Sequence, residues 1–300
     1  MICRVRDADG NPCVDRTLSL VFICRRSCVA NVVGLKVGSR HEPRGAHDAS
    51  RHTSSNNGMN PNSFNISAQP MVNPLAAWHR TLAEQSSDLF PQTLNRQLVD
   101  FDPMHYFVLL PQIQPPAGRV LDWLYVGNKN GWPFLYWRDA RAEPHTQVEQ
   151  LYPEPGWMHG QDMQQAITEP VQPDGSAQGY WQLVLFRLKA GLTLLRWHSG
   201  YKSVMLLCSQ KELEDLVSRQ SSKQYSSQNM SAETANAALA MDVTPTVDLS
   251  EPGIARVSLT RFTQWGGFYR QTWAMNRQGP HALVLEHEAK LVHYDCGVTF

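Results

Sequence analysis

In the stretch RWHSGYK, residues 196–202, an imidazole, a phenol and an amine fall close together. His198, Tyr201 and Lys202 stand where an apolar pattern gives way to polar groups. Ser199-Gly200 between them is a short turn signal, because glycine accepts positive φ. Strand ends and the loops beyond them carry sites more often than strand middles do. The three side chains would then ring one hairpin tip. His198 is a candidate catalytic residue, and His198, Tyr201 and Lys202 are candidate ligand contacts. A carboxylate such as Asp122 or Asp295 could hold the His198 ring. The bland account is a hairpin rim whose polar residues meet water and whose Trp197 is core.

Cys296 is the second candidate for catalysis, because it follows His293 and Asp295 and precedes Gly297. His293 and Cys296 on one strand would face opposite sides. A Cys–His pair therefore needs His281 or His198 from another strand. The competing account is a terminal strand cysteine packed in the core. Cys208 lies in an apolar run with nothing cationic before it in its strand, and it reads as an inert buried thiol.

Cys3, Cys13, Cys24 and Cys28 are spaced C-x9-C-x10-C-x3-C. Structural zinc sites begin with a tighter C-x2-4-C knuckle, so no metal site is expected. Residues 1–58 show no sustained apolar period, and residues 39–57 hold almost nothing to bury. The segment is expected to be disordered or not native coding sequence, with Met59 the true start; a partner-binding tail is the third account. No phosphate loop, dinucleotide fingerprint or G-x-S-x-G elbow occurs, and no cofactor is expected. H-E-x-x-H is missing too, since His287-Glu288 has no second histidine four residues after the first.

The elements that would position these residues centre on 179–219. Residues 180–188 are nearly all apolar or aromatic and read as a strand covered on both faces. Residues 192–198 and 204–208 read as two further antiparallel strands. Ser209, with Glu212 three residues on, forms a capping box for a helix over 210–219 whose Leu213, Leu216 and Val217 make one apolar stripe. Before this core, Asn73-Pro74 signals a helix over 74–85. His79 lies one position off its stripe and reads as a half-exposed polar residue. Residues 104–110 read as a strand, and 120–126 with 134–137 as a hairpin around the loop 127–131. Residues 142–179 carry five prolines and read as mostly loop with a short helix near 161–167, either a lid or a cover over one sheet face. After a polar stretch that is a linker or an exposed helical insert, 254–265 and 268–275 read as strands. Residues 282–286 and 291–294 read as a last hairpin.

The fold class is therefore α+β: mostly antiparallel β-sheet with a few packed helices. The expected organisation is 1–58 as extension, 59–219 as the sheet domain with central strands in 179–208, and 220–242 as polar linker. Residues 243–300 then complete the fold or form a second subdomain. Basic and acidic residues balance at 27 each, which favours neither nucleic acid nor an anionic membrane. No apolar run approaches the ~20 residues that span a bilayer, and residues 18–24 are too short for a signal-peptide core. A soluble protein of the cytoplasm is expected. No family resemblance emerges. The favoured function is a non-catalytic binding module for an unknown protein or small molecule. The alternative is a small hydrolase- or transferase-like enzyme using His198 or a Cys–His pair.

Overall fold

The computed structural model describes residues 62–67, 69–85, 101–126, 132–147, 150–151, 160–190, 204–222 and 229–297. All of them belong to one compact unit, Asn57–Phe300. The elements in chain order are β1 (Ser63–Asn65), α1 (Gln69–Gln85), α2 (His105–Leu109), β2 (Ile113–Gln114), β3 (Arg119–Val126), β4 (Trp132–Asp139), α3 (Gly160–Thr168) and β5 (Gln172–Pro173). There follow α4 (Ala177–Ala190), β6 (Met205–Leu207), α5 (Gln210–Ser221), α6 (Ala232–Leu239), β7 (Thr246–Asp248), β8 (Ile254–Thr263), β9 (Gly267–Asn276) and β10 (Val284–Val292). The fold is α+β. Six strands form one antiparallel sheet in the order β1-β7-β8-β9-β10, with β6 also pairing β8. Two small antiparallel pairs, β2-β5 and β3-β4, stand beside it.

The chain's most apolar run is a helix, not a strand. In α4, residues 179–187 are buried at every position. A helix covered on all sides loses its apolar stripe and reads like a doubly covered strand. Length separates the two, because 14 residues exceed an ordinary strand. The start signal is Asp174-Gly175-Ser176. Gly175 sits at φ 85, Asp174 Oδ1 accepts from the Ser176 N–H at 2.9 Å, and Ser176 Oγ accepts from the Gly179 N–H at 3.0 Å. Gly179 is fixed by proximity, since a Cβ there would strike Asp174 and come within 3.2 Å of the Gln112 carbonyl. The one amide in the buried run, Gln182, accepts from the Gln112 N–H at 2.7 Å and so carries its polarity to a partner.

The predicted strand at 104–110 is likewise the short helix α2. Asp102-Pro103 opens it: Asp102 Oδ1 accepts from the Met104 N–H at 2.9 Å, and the His105 N–H donates to the Asp102 carbonyl at 3.0 Å. Five apolar and aromatic residues are too few for their period to tell helix from strand. The helix predicted from Pro74 instead starts at Gln69, with Pro74 inside it. Gln69-Pro70 supplies a proline in the first turn, and Pro74 one turn later forgoes a single donor. The last hairpin is a single strand, β10, paired with β9 along its length and interrupted by two irregularities rather than a turn. The strand predicted at 192–198 and the loop 127–131 lie outside the described residues, as do residues 1–58 with their four cysteines.

Other expectations hold. β3, β4, β6, β8 and β9 fall where strands were expected, β3 and β8 from their alternation, and α3 covers 161–167. Between a linker and a helical insert at 232–241 the structure forms a helix, α6, capped by Ser231 Oγ accepting from the Thr234 N–H at 3.1 Å.

The sheet is packed on both faces. Val257 and Leu259 of β8 join one core, and Phe262 of the same strand joins another. Their odd and even positions put them on opposite sides. Leu206 and Leu207 of β6 divide in the same way. α5 and α6 cover the Phe262 face with Leu213, Leu216, Val217 and Ala238. α4 covers the Val257 face, and the β3-β4 hairpin adds Leu121, Trp123 and Leu135 to that core. The capping box is present: Ser209 Oγ accepts from the Glu212 N–H at 3.2 Å, and the Glu212 carboxylate accepts from the Cys208 N–H at 2.8 Å. Ser209→Ala is expected to lower stability by about 1 kcal/mol. A denaturant midpoint equal to wild type would show that water caps α5 equally well.

Candidate functional site

His198, Tyr201 and Lys202 lie outside the described residues. The carboxylates considered for His198 have other company. Asp122 is buried in β3, accepts from Arg138 Nε at 2.5 Å, and is joined by the Tyr136 hydroxyl at 3.5 Å. Asp295 is exposed and accepts from the Gly297 N–H at 2.9 Å. Cys296 is 1% exposed, in the core shared by Phe262, Phe268 and Tyr294. A thiol so enclosed meets no substrate unless the core opens. The ring of His281 is buried and engaged elsewhere, with Nδ1 2.8 Å from the Asn276 carbonyl oxygen.

A polar cluster that the sequence left scattered forms where α1, α2, α4 and β6 meet. The Tyr106 hydroxyl lies 2.8 Å from Nε2 of His79 and donates to the Lys189 carbonyl at 3.4 Å. Lys189 Nζ donates to the Val204 carbonyl at 3.4 Å. Burial lowers the Lys189 amine below its ordinary range, with the nearby Cys208 acting the other way. Burial, aided by the charge of Lys189, drops His79 to about 4. Burial together with Glu212 pushes the Cys208 thiol up to about 12. A desolvated lysine is a competent nucleophile in principle. Here its amine is tied to a backbone carbonyl, and the neighbouring thiol is held in its unreactive form. The cluster joins four elements through satisfied polar contacts, a structural task. Only the helical form of α4 brings Lys189 back toward Tyr106, so no local signal announced it.

Against α3 and the loop before β10 lies an open cavity of about 480 Å3. Its walls are Pro116, Pro170, Pro280 and Ala166, with Glu169 and Gln172 as polar groups. Such a shallow, proline-lined recess lacks the convergent polar groups that orient a small ligand.

The third feature is the sheet edge at β10. Inside, this strand pairs with β9; no described strand pairs with its outer side. Seven of its nine residues are exposed, on both faces. Three large apolar side chains stand in water there: Val284 at 59%, Leu285 at 40% and Leu291 at 43%. The charges on the strand are already organised. Glu286 is bonded by Arg256 at 2.7 Å, and that bond holds its carboxyl below the ordinary range. Burial of Glu288 opposes ionisation. Hydrogen bonds from Gln271 at 2.5 Å and Arg261 at 2.9 Å outweigh it and hold the carboxyl low. Lys290 lies over the Tyr269 ring at 5.4 Å. The chain matches no protein-family profile, no curated protein and no solved structure. Soluble sheets blunt their edges with short strands, charge or bulges. β10 has bulges and charges, yet it is long, and its carboxylates are drawn back onto sheet arginines while its leucines and valine remain outward. The sequence hid this strand by reading as a hairpin, which would have left no nine-residue edge.

Among the described residues no helix is long and apolar enough to cross a membrane, and no cluster of three or more His, Cys, Asp or Glu side chains is arranged to hold a metal.

Proposed function

We propose that this protein is a non-catalytic interaction module that takes an extended partner strand along the outer edge of β10. The single observation that supports the reading is that edge: nine residues without an outer partner among the described strands, with Val284, Leu285 and Leu291 exposed. Strand addition draws affinity from main-chain hydrogen bonds and specificity from alternate side chains. The partner is a polypeptide rather than nucleic acid, because the chain carries no net basic charge. The compartment that suits it is the cytoplasm, since neither Cys208 nor Cys296 is in a disulfide.

Isotope-labelled protein titrated with soluble nine-residue peptides of alternating apolar and charged residues tests the reading. Amide shifts confined to residues 267–292 are expected, and they are expected to be lost in L285K/L291K, which touches only exposed positions. Shifts that map instead to the recess at Pro170 and Pro280, or peptides that shift nothing in monomeric protein, would overturn it.

A further inference from the structure

We propose that the strand that docks on β10 is β10 of a second copy of this chain, antiparallel and centred on Glu288. The inference rests on the reading of β10 as an interaction edge and names its occupant.

The sequence of the strand is VLEHEAKLV. A two-fold axis beside Glu288 sets Val284 opposite Val292, Leu285 opposite Leu291, Glu286 opposite Lys290 and His287 opposite Ala289. Read in this register the strand complements itself. Apolar residues meet apolar residues at both ends, and each copy gives one carboxylate to the other's amine. The interface is isologous: the same patch is used twice, and pairing closes at two copies. A register moved by one residue along either strand loses the Glu286–Lys290 match and keeps only one kind of apolar pair, Leu285 with Val292 or Val284 with Leu291.

Glu288 is the one like-charge pair, since it meets itself at the axis. Arg261 holds that carboxylate at 2.9 Å and Gln271 donates to it at 2.5 Å. Two carboxylates at the axis therefore arrive with two guanidinium groups, and the local charge is balanced. The irregularities of β10 fall between Leu285 and His287 and between Lys290 and Val292. The regular segment between them contains the axis. The backbone ladder between copies is thus confined to its middle, while the bulged ends contribute side-chain contacts of Leu285 with Leu291 and Val284 with Val292. Such a contact is small, and small interfaces are weak and concentration-dependent.

Sedimentation of the full chain across a dilution series, from about 10 to 500 µM, is expected to show a reversible monomer–dimer equilibrium. E286K alone and K290E alone each set like charges opposite one another in both halves of the pair, and each is expected to shift the dimer midpoint at least tenfold toward monomer. Mixing the two variants in equal amounts sets opposite charges at both positions. The mixture is expected to recover wild-type association. This recovery is a readout that loss of folding in either variant could not produce. L291K, at an exposed position, supplies a second disrupting variant should E286K unfold through loss of its bond to Arg256. A wild-type chain that stays monomeric throughout the series, or a dimer that survives all three variants, overturns the proposal. Monomeric protein whose β10 still answers to added peptides would overturn the self-pairing and leave the interaction reading standing. A protein that neither dimerises nor responds to peptides would remove both.

Discussion

Phe186→Ala is expected to destabilise the protein by about 3–5 kcal/mol, a large part of a domain's whole stability. The ring is fully buried in α4 and stands against two others: Tyr106 at 5.3 Å, nearly edge-on, and Phe107 at 5.5 Å. Its removal forfeits the transfer energy of the ring. It also leaves a cavity between helices whose N-terminal ends are fixed, α4 by Asp174 and Ser176 and α2 by Asp102. Collapse into the gap would have to move Tyr106, which is held by His79 and the Lys189 carbonyl. The loss should therefore lie near the upper end of the range. A denaturant melt at constant m-value is the measurement. A change below about 1 kcal/mol would mean that the ring is not packed at the centre of the molecule.

The second large effect is on pH dependence. His79 binds its proton at about 4 in the native protein, against an ordinary value of 6.5. Above 6.5 the ring is neutral in both states and stability is independent of it. As pH falls below 6.5 the unfolded chain takes a proton that the folded chain refuses, so the unfolded state is favoured. The loss continues until about pH 4, where the folded protein accepts the proton too, and by then it amounts to about 3 kcal/mol. The physical cause is burial, reinforced by the positive charge of Lys189. Stability measured by denaturant between pH 7 and pH 4 should fall more steeply for the wild type than for H79F, which has no proton to gain. H79F starts lower, because the Tyr106 hydroxyl loses its ring partner. Parallel curves for the two proteins would show that His79 titrates in water.

The proposals at β10 and these two predictions draw on different parts of the molecule. Phe186 belongs to the α1-α2-α4 core and His79 bonds Tyr106 of that core, whereas β10 is an edge of the sheet. Variants at one should leave the other intact, because sites that share no partners act additively.

Much of the fold was legible in the residues. Ser209 and Glu212 announced α5 because capping is local: three residues suffice to place an acceptor on a free N–H. Val257, Leu259 and their alternating neighbours announced β8, since a strand exposed unequally on its two sides writes its period into the chain. What the residues left undetermined follows from burial and from distance along the chain. Residues 180–188 read as a strand because the tertiary structure covers α4 on every side, which erases the stripe that distinguishes a helix. Pairing with β9 turned two apparent short strands into one edge, since His287 to Lys290 carry no apolar alternation yet find ladder partners in Tyr269 to Thr272. The contact of His79 with Tyr106, 27 residues on, and of Tyr106 with Lys189, 83 residues further, exists only because three helices converge. Local sequence determined the caps and the alternating strands, where neighbours along the chain are the partners. The environment of α4, the length of the β10 edge and the partners of His79 were decided by neighbours that only folding brings near.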